Sequence, residues 1–315
     1  MSKKTPKLTL RLTGIINLLS IGLLVATIYG FLGRLHWFLD LFSHFRVQYM
    51  QLCLPLIAFY LWKRMNKRAV AVVLIAAINY AFVLPLYFGK PDAPDTKPIR
   101  AMLMNLNAGN GNTEQVLEAI VKFDPDLLLL EEVTPKWAHE LAGLDEKYKY
   151  KIAEPQAGCF GIMLLSKHPL ERGEVIEVGT AGVPSMVCEA YFPQGTVSVI
   201  GTHPLPPIGA EYANHRNNQL AELPSIVKEQ THPVLLIGDL NVTPFSPWFG
   251  KLVSESGLKN SMKGFGFQPS WIGNAFLKIP LDHVLHSEDI IIHNRMIGPN
   301  VGSDHLPVIV DFSMR

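Results

Sequence analysis

Residues Val234 to Pro244 read VLLIGDLNVTP, four apolar residues followed by Gly-Asp-Leu-Asn and a Thr-Pro stop. A run this short and this apolar reads as a strand buried on both faces. Polar residues at its carboxy end then stand where strand-borne catalytic side chains collect. A period of two sends Asp239 and Asn241 to one face. Alone, an Asp or Asn after a strand is a turn or cap residue. Here the same pattern recurs, once per strand end, along most of the chain.

Further apolar runs lie at 101–106, 127–130, 161–165, 197–200, 283–285 and 307–310, with helical spacing at 114–123 and 211–229. Several strands follow one another without a helix between them, as around Gln194-Gly195, so a purely parallel sheet is excluded and a mixed-sheet α/β sandwich fits. The run ends carry the chemistry. Asn105 and Asn107 share a face at the end of the first strand. LLLLEEV ends in Glu131 and Glu132, which as neighbours point to opposite sides, so that one of them faces a site. GTHPLPP contributes His203, LDHVLHS contributes Asp282, and GSDHLPV contributes Asp304 and His305. A cluster of carboxylates and amides suits a hard divalent cation. His283 is expected to face away from Asp282, and His215, Arg216 and Asn217 read as a solvated helix start. Trp271, Ile272 and Phe276 form an apolar loop before the Asp282 strand.

Of the 315 residues, 48% are hydrophobic and 17% charged, an apolar excess that excludes disorder and that position along the chain resolves. Residues 12–33 and 69–89 are uncharged stretches of 22 and 21, close to the ~20 that cross a bilayer as a helix. Val47 to Trp62 adds a shorter third, 16 residues containing Pro55. The reading is a membrane anchor over 1–89 with about three transmembrane helices, a Pro-rich linker at 90–98 (KPDAPDTKP), and a catalytic domain at 99–315. Lys3, Lys4, Lys7 and Arg11 precede the first span, and Lys63, Arg64, Lys67 and Arg68 follow the second. The positive-inside rule puts these in the cytoplasm and the carboxy-terminal domain outside it, periplasmic or extracellular; two spans would reverse this. Residues 1–96 hold 11 Lys and Arg against three Asp, a net +8; the remaining 17 against 24 give −7. An acidic domain lacks the electrostatic footprint of a tight nucleic-acid binder. Cys159 and Cys188 have no metal spacing and are expected to be unpaired core thiols, a disulfide being the alternative.

Together, MNLN, DLLLLEEV, GIMLLSKHPL, GTHPLPP, GDLNVTP, LDHVL and GSDHLPV resemble the endonuclease/exonuclease/phosphatase superfamily over roughly 98–312. That superfamily includes pancreatic deoxyribonuclease, abasic-site endonucleases, neutral sphingomyelinases and inositol polyphosphate 5-phosphatases. The resemblance implies a hydrolase needing magnesium, or manganese in its place, and no organic cofactor. It implies Glu132 as main metal ligand with Asn105, Asn107 and Asp304 beside it. His305 would be the general base oriented by Asp282, with Asp239 the alternative base; Asn241 and His203 would contact phosphate or assist the leaving group. The expected activity is a membrane-anchored phosphodiesterase acting on a phospholipid-like substrate or on nucleic acid. The rival class is a non-catalytic membrane protein that retains the fold.

Overall fold

The computed structural model describes residues 12–92, 94–274 and 276–315; the basic residues Lys3, Lys4, Lys7 and Arg11 lie outside them. Three long helices come first: α1 (Leu12–Phe31), then, after the short α2 (Trp37–Asp40) and a 3-10 turn, α3 (Arg46–Trp62) and α4 (Asn66–Val83). Leu12–Phe31 and Asn66–Tyr87, 20 and 22 residues, are long and apolar enough to cross a membrane. α3 has 17 residues and carries Pro55 in its interior. The expectation of about three transmembrane helices is thus met by two on length and hydropathy.

These helices do not hide their apolar side chains in protein. Leu12, Leu18, Leu19, Ile21, Leu54 and Leu74 are all more than half exposed, which a water-soluble core helix would not tolerate. The three run alternately up and down. At one end Tyr60 and Arg68 both donate to Asn17 Oδ1, 2.9 Å each. At the other, Arg46 donates to the Thr27 carbonyl and to Asn79 Oδ1 (3.2 and 3.1 Å) and lies over the rings of Phe31 and Phe82. Gly30 makes room for it: a Cβ there would meet Arg46 Nη2 at 2.6 Å.

The remainder is built from β1 (Ile99–Asn105), α5 (Thr113–Phe123), β2 (Leu127–Glu131), α6 (Pro135–Glu140), β3 (Tyr150–Glu154), β4 (Ile162–Ser166), β5 (Leu170–Glu177), β6 (Pro184–Phe192), β7 (Gly195–Thr202), α7 (Ala210–Glu229), β8 (Val234–Asp239), α8 (Pro247–Ser256), β9 (Lys259–Asn260), β10 (Trp271–Ile272), β11 (Lys278–Ile279), β12 (Asp282–His286), β13 (Ile290–Ile297) and β14 (Val308–Met314). Two six-stranded mixed sheets, ordered β13-β14-β1-β2-β4-β3 and β5-β6-β7-β8-β12-β9, face each other, as expected of an α/β sandwich. Leu103, Leu129, Val199, Ile237 and Val284 meet between them. α5 and α6 cover the outer face of the first sheet and α7 and α8 that of the second.

The inward rows set the site. Alternation along β1 carries the inward face from Ala101 and Leu103 to Asn105; along β2 from Leu127 and Leu129 to Glu131; along β8 from Leu235 and Ile237 to Asp239. Continued past Val199 and Gly201, the row of β7 reaches His203, and traced back from Val284 in β12 it reaches Asp282. Five polar residues therefore converge where the two sheets end together.

The segment from Leu86 to Lys90 is pinned. Gly264 and Gly266 donate backbone N–H to the Leu86 carbonyl (2.8 and 2.9 Å), and Lys90 lies over the Phe265 ring. Val83, Leu86, Phe245 and Met262 share a buried cluster. The α1–α3 connection packs on α7 and α8 nearby. All these contacts come from the end of the bundle opposite Lys63, Arg64, Lys67 and Arg68.

Candidate active site

Glu132, His203, Asp239, Asn241, Asp304 and His305 line one cavity of about 660 Å³, a size suited to a small-molecule ligand. Asn105 and Asp282 lie buried behind them, and Asn107 stands at their edge. His305 Nδ1 is 2.9 Å from Asp282 Oδ2, while its Nε2 is 3.5 Å from Asp239 Oδ2. His203 Nε2 approaches the same Asp239 oxygen at 3.6 Å. Two histidine rings thus flank one carboxylate, and a second carboxylate fixes the orientation of one of them.

Charge follows from that geometry. Burial alone would lower both histidines. For His305 the Asp282 and Asp239 carboxylates outweigh it and raise the pKa to about 10; for His203 Asp239 and Glu131 do so, raising it to about 9. Burial pushes Asp239 the other way, but the His305 and His203 charges prevail and hold its carboxyl below the usual range. At neutral pH the trio is two imidazoliums around a carboxylate. Asp239, Asp282 and His305 also bring one ligand atom each within 4.8 Å of one another. The direct His305–Asp282 hydrogen bond already explains that cluster as an orienting pair.

Of the four residues expected to hold a metal, Glu132 and Asp304 offer charged oxygens and the two asparagines present N–H groups to them. Asn105 Nδ2 donates to Glu132 Oε1 (3.1 Å), and the Ala108 N–H donates to Oε2 (2.8 Å). Asn107 Nδ2 donates to Asp304 Oδ1 (2.7 Å) and Trp271 Nε1 to Oδ2 (3.1 Å). Asn105 Oδ1 accepts the Asn107 N–H, and Asn107 Oδ1 accepts that of Gly109. Each carboxylate keeps free lone pairs toward the cavity, a hard-oxygen donor set that fits a divalent cation. The amides orient the carboxylates.

Glu131 corrects the expectation that only one of the adjacent glutamates reaches the site. Its side chain continues the inward row and accepts the Asp239 N–H with both oxygens (3.2 and 3.0 Å). Glu132 adopts φ +57°, which ends the strand and swings its side chain back to the same end. Asn107 (φ +58°) and Asn241 (φ +49°) do likewise, so period two fails just past each strand. Burial, outweighing the neighbouring His203 charge, pushes the Glu131 carboxyl above its usual range. Gly238 permits this: a Cβ there would stand 1.9 Å from the Thr202 carbonyl oxygen and 2.9 Å from Glu131 Oε1.

Arg216 is a second correction. It is fully buried, not solvated, and its Nη2 lies 2.6 Å from Asp40 Oδ2 in the α1–α3 connection. Its Nη1 donates to the Asn241 carbonyl (3.0 Å). Asp40 Oδ1 accepts from Ser246 (2.7 Å), and His44 Nδ1 meets Thr243 Oγ1 at 3.0 Å. The GDLNVTP turn is therefore buttressed from the amino-terminal region, which no local pattern could reveal. Ser270 and Ser303 are further supports: Ser270 Oγ accepts the Asp282 N–H (3.1 Å), and Ser303 Oγ accepts that of His305 (3.0 Å). His283 turns away, 2.8 Å from the Val242 carbonyl. Cys53, Cys159 and Cys188 are free; Cys188 is in the core, whereas Cys159 is exposed on the cavity rim.

No curated protein matches the sequence. Among solved structures, a humanised TDP2 of D. rerio aligns at 15% identity over 70% of this chain and 100% of that one, TM-score 0.59. The human Nocturnin catalytic domain aligns at 20% over 71% and 97%, TM-score 0.58, and Sphingomyelinase C of Streptomyces griseocarneus at 19% over 69% and 99%, TM-score 0.53. These likenesses are of fold. Residues 102–305, from the first inward strand to the histidine paired with Asp282, match the model of the Endonuclease/Exonuclease/phosphatase family, and the chain belongs to that family.

Proposed function

We propose that the protein is a membrane-anchored, divalent-metal-dependent phosphoesterase that hydrolyses a phosphodiester by attack of water. The observation that carries the reading is the Asp239 carboxylate flanked by His203 and His305, the latter held by Asp282, in one cavity with Glu132 and Asp304. Asp239, kept ionised by its neighbours, takes the proton as the water oxygen forms its bond to phosphorus. The two imidazoliums offset charge on the phosphoryl oxygens and supply a proton to the alcohol oxygen as its bond to phosphorus breaks. Asn241, anchored through its amide to the Pro204 carbonyl (2.9 Å), sets the shape of this wall. A magnesium ion on Glu132 and Asp304 would supply Lewis-acid polarisation of the phosphate. Asp239 is therefore favoured over His305 as the base.

Anchoring is supported by the exposed apolar belt of α1 and α4 and by the length of α3, about 25 Å at 1.5 Å per residue. With three crossings, the catalytic region sits at the end opposite Lys63, Arg64, Lys67 and Arg68, which the positive-inside rule places outside the cytoplasm.

The test is turnover of bis(p-nitrophenyl) phosphate by the full chain with magnesium. Loss of about 10²-fold or more in both Glu132→Ala and His305→Ala is expected. Undiminished turnover in either variant would refute the assigned roles.

A further inference from the structure

Part of the cavity wall does not come from the catalytic sheets. Leu41, His44 and Phe45, in the connection between two membrane-anchor helices, form one side of it. Pro206, Ile208, Tyr212, Trp271 and Leu281 form most of the rest. Only the floor is polar. Among the described residues, no Lys or Arg lines this cavity; Arg216, behind the wall, is committed to Asp40. A nucleic-acid strand is held by cations that track its backbone. Here it would meet three carboxylates on a domain of net charge −7.

Exposed apolar side chains on and around that wall point the same way. Ile208 is 74% exposed and Phe276, on the β10–β11 hairpin, 84%. That hairpin rests on the start of α3, where Gln48 Nε2 donates to the Lys278 carbonyl (2.8 Å). Leu35 and Phe38, in the same connection that walls the cavity, are also exposed. Ile208 thus presents a bare apolar side chain at the cavity wall, and Phe276, Leu35 and Phe38 stand exposed on the two segments that supply Trp271 and Leu41 to that wall, at the end of the bundle where α1 ends and α3 begins.

We infer that the substrate is a membrane lipid phosphoester, taken from the bilayer beside the anchor, with its phosphate at Asp239, His203 and His305 and its apolar part against Leu41, Phe45 and Ile208. This inference rests on the phosphoesterase reading. The α1–α3 connection is then a specificity element, absent from any fragment that begins at the first strand. The cavity holds a headgroup and the first part of an acyl chain, while the remainder stays in the bilayer.

The experiment uses the full chain in nanodiscs of phosphatidylethanolamine and phosphatidylglycerol in equal parts, with magnesium. Lipid hydrolysis is read by mass spectrometry, beside bis(p-nitrophenyl) phosphate and a single-stranded oligonucleotide. Lipid turnover is expected, with its ratio to soluble-diester turnover falling about tenfold or more in Leu41→Asp, Phe45→Asp and Ile208→Asp, since one pocket contact is worth ~10-fold or more in discrimination. Ile208 lies in solvent, so its replacement tests the wall even if the other two variants fail to fold. Hydrolysis of the soluble diester with none of lipid, preference for the oligonucleotide, or a ratio unmoved in Ile208→Asp would overturn the inference and leave the phosphoesterase reading standing. No turnover of any substrate would remove both.

Discussion

Asp40→Ala should destabilise the whole chain, although Asp40 lies in the amino-terminal region and far in sequence from every site residue. Both it and Arg216 are fully buried, and their 2.6 Å contact is the only carboxylate Arg216 meets among the described residues. Removing one partner of a buried pair leaves the other charge without compensation, at a cost of about 3–5 kcal/mol. Asn217 Oδ1 and the Asn241 carbonyl remain as acceptors, but neither carries a charge. Ser246 Oγ loses its acceptor as well. At ~2–4 °C per kcal/mol for a domain of this size, the apparent melting temperature in detergent should fall by about 6–20 °C. Asp40→Asn, which keeps an acceptor for Ser246, should fall less, and Asp40→Ala combined with Arg216→Met should recover part of the loss. A drop below about 1 °C for Asp40→Ala, with the double variant no better, would refute the claim that this pair joins the amino-terminal helices to the catalytic region.

Three further outcomes follow from the geometry. Gly238→Ala should abolish the site although no polar side chain is replaced, because its Cβ meets the Thr202 carbonyl and crowds Glu131 Oε1; a folded variant with wild-type diester turnover would contradict this. Burial, outweighing the Asp40 carboxylate, lowers His44 to about 4. The unfolded chain therefore takes up a proton below pH 6.5 that the folded one refuses, and stability present above pH 6.5 is lost as pH falls toward 4, about 3 kcal/mol in all. His44→Gln should flatten that part of the curve relative to wild type in paired melts between pH 7.5 and 4.5; identical slopes would count against it. Magnesium at ~100 times its Kd should stabilise the protein by about 2.7 kcal/mol, and Glu132→Gln with Asp304→Asn should erase the shift in melting temperature.

The sandwich was legible because most of its inward strands are apolar runs with a polar residue at one end. Asp239, His203 and Asp282 meet at one end of the sandwich because each sits on the inward row of its strand. That rule gives out one residue later. Asn107, Glu132 and Asn241 turn left-handed, so alternation assigned Glu131 and Glu132 to opposite sides although both reach the site. The edge strands β3 and β5 keep most of their side chains exposed, so they carry no apolar run or alternation to be read. Arg216 was misplaced because nothing near it in sequence marks a buried cation; its partner lies 176 positions away. Contacts of that range belong to the tertiary fold, and periodicity carries no trace of them.

The left-handed backbone at Asn107, Glu132 and Asn241 sets stability against function. A non-glycine residue in that region costs on the order of 1 kcal/mol or more, against a total of about 5–15 kcal/mol for a folded domain. Glycine would relieve the strain at each position and delete the side chain that the turn exists to aim. Selection for heat resistance alone would therefore erode these three positions first, and a thermostable homologue that keeps Asn, Glu and Asn there must draw its added stability from somewhere other than the floor of the cavity.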